Sequence, residues 1–233
     1  MACRRWWDLS QGNPDGQHRF KNPCGLAISK TSNPHLLFVS DKDNNRVQVF
    51  NISNFRFVRS IACGQNPRGI CLFTNAAGRE ELFVAEQIEN RVQVFHASTG
   101  ASLRTIGSGQ GSGAGQLRNP FDVAVHRDSS GVVRAFVVDA RNNRVQVFNA
   151  DTGAHMAIIG SYGSGNGQLY CPAAVKIREV REGDRVRVLL FVGEYDNHRM
   201  SVFDAMSFEF VRVMGNGKGR RNGQFNFING MGF

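Results

Sequence analysis

Four acidic residues each stand five positions ahead of an arginine: Asp41 and Arg46, Glu86 and Arg91, Asp139 and Arg144, Glu194 and Arg199. Carboxylates and guanidinium groups recurring at a fixed spacing can do one of two things. The arginines can form a ring of cations facing an anionic ligand, or each acid can hold its own arginine. The residues between them favour the second. Asparagine recurs there, and it tolerates left-handed turn conformations and bonds its own backbone. A planar guanidinium offers several N–H donors to a turn at once. The eight residues are therefore expected to be structural, fastening a turn to the next repeated unit.

Other reactive types show no such order. The six histidines, His18, His35, His96, His126, His155 and His198, share no register. No H-E-x-x-H, G-x-S-x-G or Cys/His pair occurs. The glycine loop Gly107-Ser108-Gly109-Gln110-Gly111-Ser112-Gly113 lacks the Lys-Ser/Thr and the following helix of a phosphate loop. No catalytic residue, metal ligand or cofactor is expected. The five cysteines, Cys3, Cys24, Cys63, Cys71 and Cys171, are odd in number and form no C-x-x-C. That pattern argues against a disulfide framework and for a reducing, cytoplasmic setting. The first residues, MACRRWWDLSQG, carry charge without an apolar run behind it, so no secretory signal is expected there. No stretch of about 18 apolar residues exists, so no membrane insertion is expected.

The elements that position these residues come from a repeat. Ser40–Phe50, Ala85–Phe95, Asp139–Phe148 and Gly193–Phe203 answer one another, and three of them share Asn-Arg-Val-Gln-Val-Phe. The arginines lie 45, 53 and 55 residues apart. Pro23, Pro67, Pro120 and Pro172 keep step at 44, 53 and 52. A period of about 40–50 residues holding four short strands is that of a β-propeller blade. In the third unit, strand a is expected over Phe121–Val125, nearest the axis, strand b over Val132–Val138, strand c over Arg144–Phe148 and strand d over His155–Ile159, at the rim. Units are expected at about 16–64, 65–107, 115–160 and 167–215, with a partial unit at 223–233. Gly and Pro interrupt before any helix could complete three turns. The fold class is all-β, a propeller of four-stranded antiparallel blades.

The motif Phe-x-x-Pro-x-Gly followed by Asp-x-x-Asn-x-Arg-Val-Gln-Val-Phe resembles the NHL repeat. Phe20-Lys21-Asn22-Pro23-Cys24-Gly25 with Asp41–Phe50 matches almost in full, and the resemblance spans about Gly16 to Phe233. Two positions depart from it: Ala173-Ala174 stands where Pro-x-Gly is expected, and Asp122 replaces the third unit's glycine. The resemblance implies a six-bladed propeller, more than this sequence holds. Gly223–Phe233 aligns with Gly115–Val125 and opens a fifth unit. Residues 1–15 have room for one strand, Arg4–Leu9, which could close the ring. The sequence is accordingly expected to be part of a longer protein; the alternative is a small propeller closed by an a–d pair.

The formal charge is +9, from 28 Lys and Arg against 19 Asp and Glu, which favours an anionic partner. In a propeller the d–a and b–c loops share one face. The d–a loops contain Arg19, Lys21, Arg68, Arg118, Lys218, Arg220 and Arg221 against Asp15. The b–c loops, apart from the repeated pairs, contain Lys42 and Arg141 against Asp43, Glu89 and Asp196. That face is therefore net positive, and Phe121, Tyr162, Tyr170, Tyr195 and Phe227 fall on it. Lys42, Arg68, Arg118, Phe121, Arg141, Tyr170, Tyr195, Lys218, Arg220 and Arg221 are the candidate ligand-binding residues. The expected partner is a protein or single-stranded RNA, since cations contact phosphates and rings stack on unpaired bases. The resemblance implies two alternatives: substrate recognition within a ubiquitin ligase of TRIM-NHL type, or a metal-dependent lyase or lactonase.

Overall fold

The computed structural model describes residues 19–29, 31, 35–183, 185–215 and 217–232. The expected closing strand at Arg4–Leu9 lies outside the described residues. Among the described residues, sixteen strands form four antiparallel sheets, each in chain order. The first is β1 (Pro23–Ile28), β2 (Leu36–Asp41), β3 (Arg46–Asn51) and β4 (Phe57–Ala62). The second is β5 (Pro67–Thr74), β6 (Glu80–Glu86), β7 (Arg91–His96) and β8 (Ser102–Ile106). The third is β9 (Pro120–Arg127), β10 (Val133–Asp139), β11 (Arg144–Asn149) and β12 (His155–Ile159). The fourth is β13 (Pro172–Glu182), β14 (Arg185–Glu194), β15 (Arg199–Asp204) and β16 (Phe210–Met214). The third unit's strands fall within a few residues of their sequence-based positions, and its β12 coincides with the expected strand d.

The period-2 alternation of each strand explains how the sheets stack. In β6, Leu82 and Val84 point one way and pack with Phe38, Val47, Val49 and Ile70 of the first and second sheets. Phe83 and Ala85 point the other way and pack with Val123, Ala135, Val137 and Phe148 of the third. In β10, Phe136 and Val138 join Val175, Leu190, Val192 and Phe203 of the fourth. Three apolar layers therefore lie between four blades, and internal strands are buried on both faces. The inner strands β1, β5, β9 and β13 pack successively against one another, as blades around an axis do.

The inner strands leave little room between them. A Cβ on Gly69 would lie 2.2 Å from Asp122 Oδ1 and 2.7 Å from the carbonyl oxygen of Phe121, and one on Gly25 would lie 2.4 Å from the carbonyl oxygen of Arg68. Asp122, which stands where the repeat has glycine, uses its carboxylate as an inter-blade bond. Oδ1 accepts from Val123 N at 2.9 Å, and Oδ2 accepts from Val175 N of the next blade at 3.0 Å.

Two features depart from the expected plan. Among the described residues the expected first strand of the fifth unit is not seen: residues 226–232 carry no strand ladder. Its beginning nevertheless keeps repeat geometry, as described below. The β13–β14 hairpin is longer than its counterparts and extends the fourth blade on the side opposite the d–a loops.

Candidate functional site: the loop face

Each repeated acid is a buried hub. Asp41 accepts from Lys21 N at 2.6 Å, Arg46 Nε at 2.8 Å, Gln48 Nε2 at 2.8 Å and Asn44 Nδ2 at 2.9 Å. Asp139 accepts from Arg118 N, Arg144 Nε, Gln146 Nε2 and Asn142 Nδ2, all at 2.7–2.9 Å. Glu194 accepts from Tyr170 N, Arg199 Nε, Asn197 Nδ2 and Ser201 Oγ. Glu86 accepts from Gly64 N and Arg91 Nε. Burial alone would raise the Asp41 carboxyl, but these hydrogen bonds outweigh it and hold the group below the ordinary aspartate range.

These bonds join each acid to its own arginine, and the arginines fasten a different loop from the one expected. Arg144 Nη2 donates to the carbonyl oxygens of Gly113 and Gln116 at 2.8 and 3.1 Å, and Arg199 Nη2 to those of Gly165 and Gln168 at 2.9 and 2.8 Å. Their targets lie in the loop arriving from the preceding blade. The link to the following blade comes from the residue just before each arginine. Asn45, Asn90 and Asn143 adopt positive φ, and their Oδ1 atoms accept from Asn66 N, Asn119 N and Cys171 N at 2.9, 2.9 and 2.8 Å. In the fourth blade His198 stands in for asparagine, and its Nδ1 accepts from Phe227 N at 3.1 Å. The accepting and donating residues all have φ between 47° and 59°.

The long d–a loops share one construction. Parallel bridges join Gln110 to Leu117, Tyr162 to Leu169 and Lys218 to Phe225. Leu117 and Leu169 are fully buried plugs. Gly107, Gly160 and Gly215 start these loops at φ of 104°, 80° and 110°, where a Cβ would meet the plug at 2.6–2.9 Å. The loop into the second blade is short, which accounts for the shorter first period.

This framework brings the d–a and b–c loops to one face. Arg118, Arg141, Lys218, Arg220 and Arg221 are exposed there, and none pairs with a carboxylate among the described residues. Lys42 is half-buried in the turn after β2. The aromatic candidates divide into three groups. Tyr170 meets Tyr162 edge-on at 5.2 Å, with Tyr162 64% exposed. Tyr195 stacks on Phe227 at 4.5 Å, with Lys218 Nζ 5.3 Å from that ring's centroid. Phe121 carries the Arg68 guanidinium 3.7 Å above its centroid. The ten residues thus share a face without converging in a single pocket. Residue-by-residue sequence reasoning missed Asn229, whose Oδ1 accepts from Arg68 Nη2 at 2.9 Å. It also missed the latch role of His198, although its alignment with Asn45, Asn90 and Asn143 is readable in the repeat.

Among the described residues no group of three or more His, Cys, Asp or Glu is placed to hold a metal ion. Asp122 sits buried between blades 3.6 Å from Lys176 Nζ, and burial pushes its carboxyl up. Burial likewise pushes the Cys63 thiol up to about 12 and raises Cys24, Cys71 and Cys171. None of these cysteines has the depressed value of a nucleophilic thiol.

No family model matches the chain, and no curated protein matches it in sequence. Solved structures do share its fold. An auxiliary nutrient binding protein from Bacteroides thetaiotaomicron has a TM-score of 0.63 at 14% identity, covering 89% of this chain and 53% of its own. Its counterpart from Bacteroides ovatus has a TM-score of 0.61 at 11% identity, covering 90% and 53%. Kuenenia stuttgartiensis hydrazine synthase has a TM-score of 0.58 at 18% identity, covering 87% and 52%. The chain spans about half the length of these proteins. At such identities the likeness establishes the β-propeller architecture.

Proposed function

We propose that this chain is a non-catalytic recognition module whose d–a and b–c loop face binds single-stranded RNA. The observation that carries this reading is the set of exposed cations Arg118, Arg141, Lys218, Arg220 and Arg221, none paired with a carboxylate among the described residues, interleaved with the exposed rings of Tyr162, Tyr170 and Phe227. Cations track a phosphate backbone, and rings stack on bases irrespective of sequence. The non-catalytic part rests on the repeated acids, whose oxygens are engaged in holding the turns. The likeness of the motif to NHL repeats supports the same assignment, and cysteines remaining as thiols at Cys24, Cys63, Cys71 and Cys171 suit a cytoplasmic protein.

The test is a fluorescence anisotropy titration with a randomised single-stranded RNA and a duplex of equal length. The single strand should bind more tightly, and Tyr170→Ala should weaken it by up to about 1–3 kcal/mol per stacked base. Equal affinity for duplex would remove the stacking argument. Absence of RNA binding together with a stable protein complex on this face would favour protein recognition, including that of a ubiquitin-ligase substrate.

A further inference from the structure

The propeller mouth, where the inner strands begin, is set apart from the rest of the loop face. Cys24, Arg68, Phe121 and Ala173 each follow the proline that opens an inner strand. Arg68 is half-buried, and its guanidinium lies flat on Phe121 at 3.7 Å. Its Nη2 donates to Asn229 Oδ1 at 2.9 Å, and its backbone oxygen accepts from Ser40 Oγ at 2.5 Å. The side chain is thus fixed at its base, on one flat face and at one corner. No other hydrogen bond and no ion pair engages it among the described residues.

We propose that this mouth binds an oxyanion, a phosphate or carboxylate group, through the free edge of Arg68. A guanidinium presents N–H donors in a planar fork that matches two oxygens of such a group. Here the fork is held in place before any ligand arrives, so little side-chain freedom is lost on binding. None of its donors is among the buried side-chain atoms left without a partner, so the unused ones stay open to an incoming acceptor. An oxyanion would satisfy them. Lys42 and Arg141 add positive charge nearby: Lys42 and Arg68 both act on the Cys24 thiol, and Arg141 and Arg68 both act on Cys171. The acids around the mouth are Asp43, Asp196 and Asp122. Asp43 acts on Cys24 and Asp196 on Cys171. Asp122 has its oxygens on Val123 N, Val175 N and Lys176. Among the described residues none of the three forms an ion pair with Arg68, although Asp122 lies near enough to favour its charge.

The site shares a face with the proposed RNA surface but does not rest on it. Its test is a titration of the full chain, followed through the Arg68 Nε–H resonance, with inorganic phosphate and, separately, acetate. Chloride at matched ionic strength is the control. A saturable shift with either anion and none with chloride is expected. A tenfold or greater preference for phosphate would assign a phosphoryl ligand, and the reverse a carboxylate. Arg68→Gln should weaken the interaction at least tenfold, followed through neighbouring backbone amides, whereas Arg212→Gln on the rim strand β16 should leave it unchanged. The wild-type resonance needs no variant to fold, and Phe121→Leu gives a second, milder perturbation of the same stack. A response that never saturates, or that is equal for chloride or equally reduced by Arg212→Gln, would overturn the site. Anion binding without RNA binding would sink the RNA reading alone, and RNA binding without saturable anion binding would sink this one alone.

Discussion

A carboxylate with four donors and no exposure is the smallest unit on which this structure depends. Asp139 is fully buried and Arg144 nearly so. Removing the acid in Asp139→Ala strands a buried guanidinium, which costs about 3–5 kcal/mol, whereas an exposed arginine such as Arg118 should change folding by less than about 0.5 kcal/mol on substitution. Urea unfolding of the two variants checks the contrast. Asp41 makes the same hub titratable. Its folded value is lowered, so the unfolded chain takes up the proton first as pH falls. Its contribution is present above the ordinary aspartate value of about 3.9 and is lost as pH drops through the lower folded value. Asp122 has the opposite sign: burial raises its folded value, so its neutral form favours the fold and that contribution fades as pH climbs through the raised value. Asp41→Asn should therefore flatten the acid limb of a stability–pH profile measured by urea midpoint, and Asp122→Asn should leave that limb in place. At the fourth blade, His198→Asn should preserve stability and His198→Ala should lose about 0.5–1.5 kcal/mol, the net worth of one hydrogen bond.

The blade is the element through which sequence became structure. Its four strands were legible because apolar residues alternate in β6, β10 and β11 and because proline and Asn-Arg mark fixed points in every unit. What pairs across blades was not legible, since it depends on backbone atoms that carry no residue signature. The target of Arg144 was misread for that reason: its partners are the carbonyls of Gly113 and Gln116. The Asn45, Asn90 and Asn143 latch was hidden likewise, because asparagine in a turn is explained by local conformation alone. Of the candidate site, the face and its cations could be read from loop positions, but the stacking of Arg68 on Phe121 joins residues 53 apart and needed the fold. Close packing of the inner strands gives a further expectation. Gly69→Ala would press a methyl against the backbone of Phe121 and Asp122, and should destabilise by about 1–3 kcal/mol in thermal or urea unfolding.

At the scale of the whole molecule, repetition separates two tasks. Apolar layers between blades and buried acid hubs hold the loops, and the loops are left to differ from unit to unit. Arg118, Arg141, Lys218, Arg220 and Arg221, none paired with a carboxylate among the described residues, gather on the face formed by the d–a and b–c loops. The claim that this face tracks a phosphate backbone is tested most directly by the salt dependence of RNA affinity in the wild type and in Arg118→Ala, Arg220→Ala and their combination. The account predicts a linear fall of log K with log salt, at about 0.7 per phosphate contact for a single strand, and a slope that shrinks by about that amount with each cation removed. An affinity indifferent to salt, or a slope untouched by these substitutions, would contradict it.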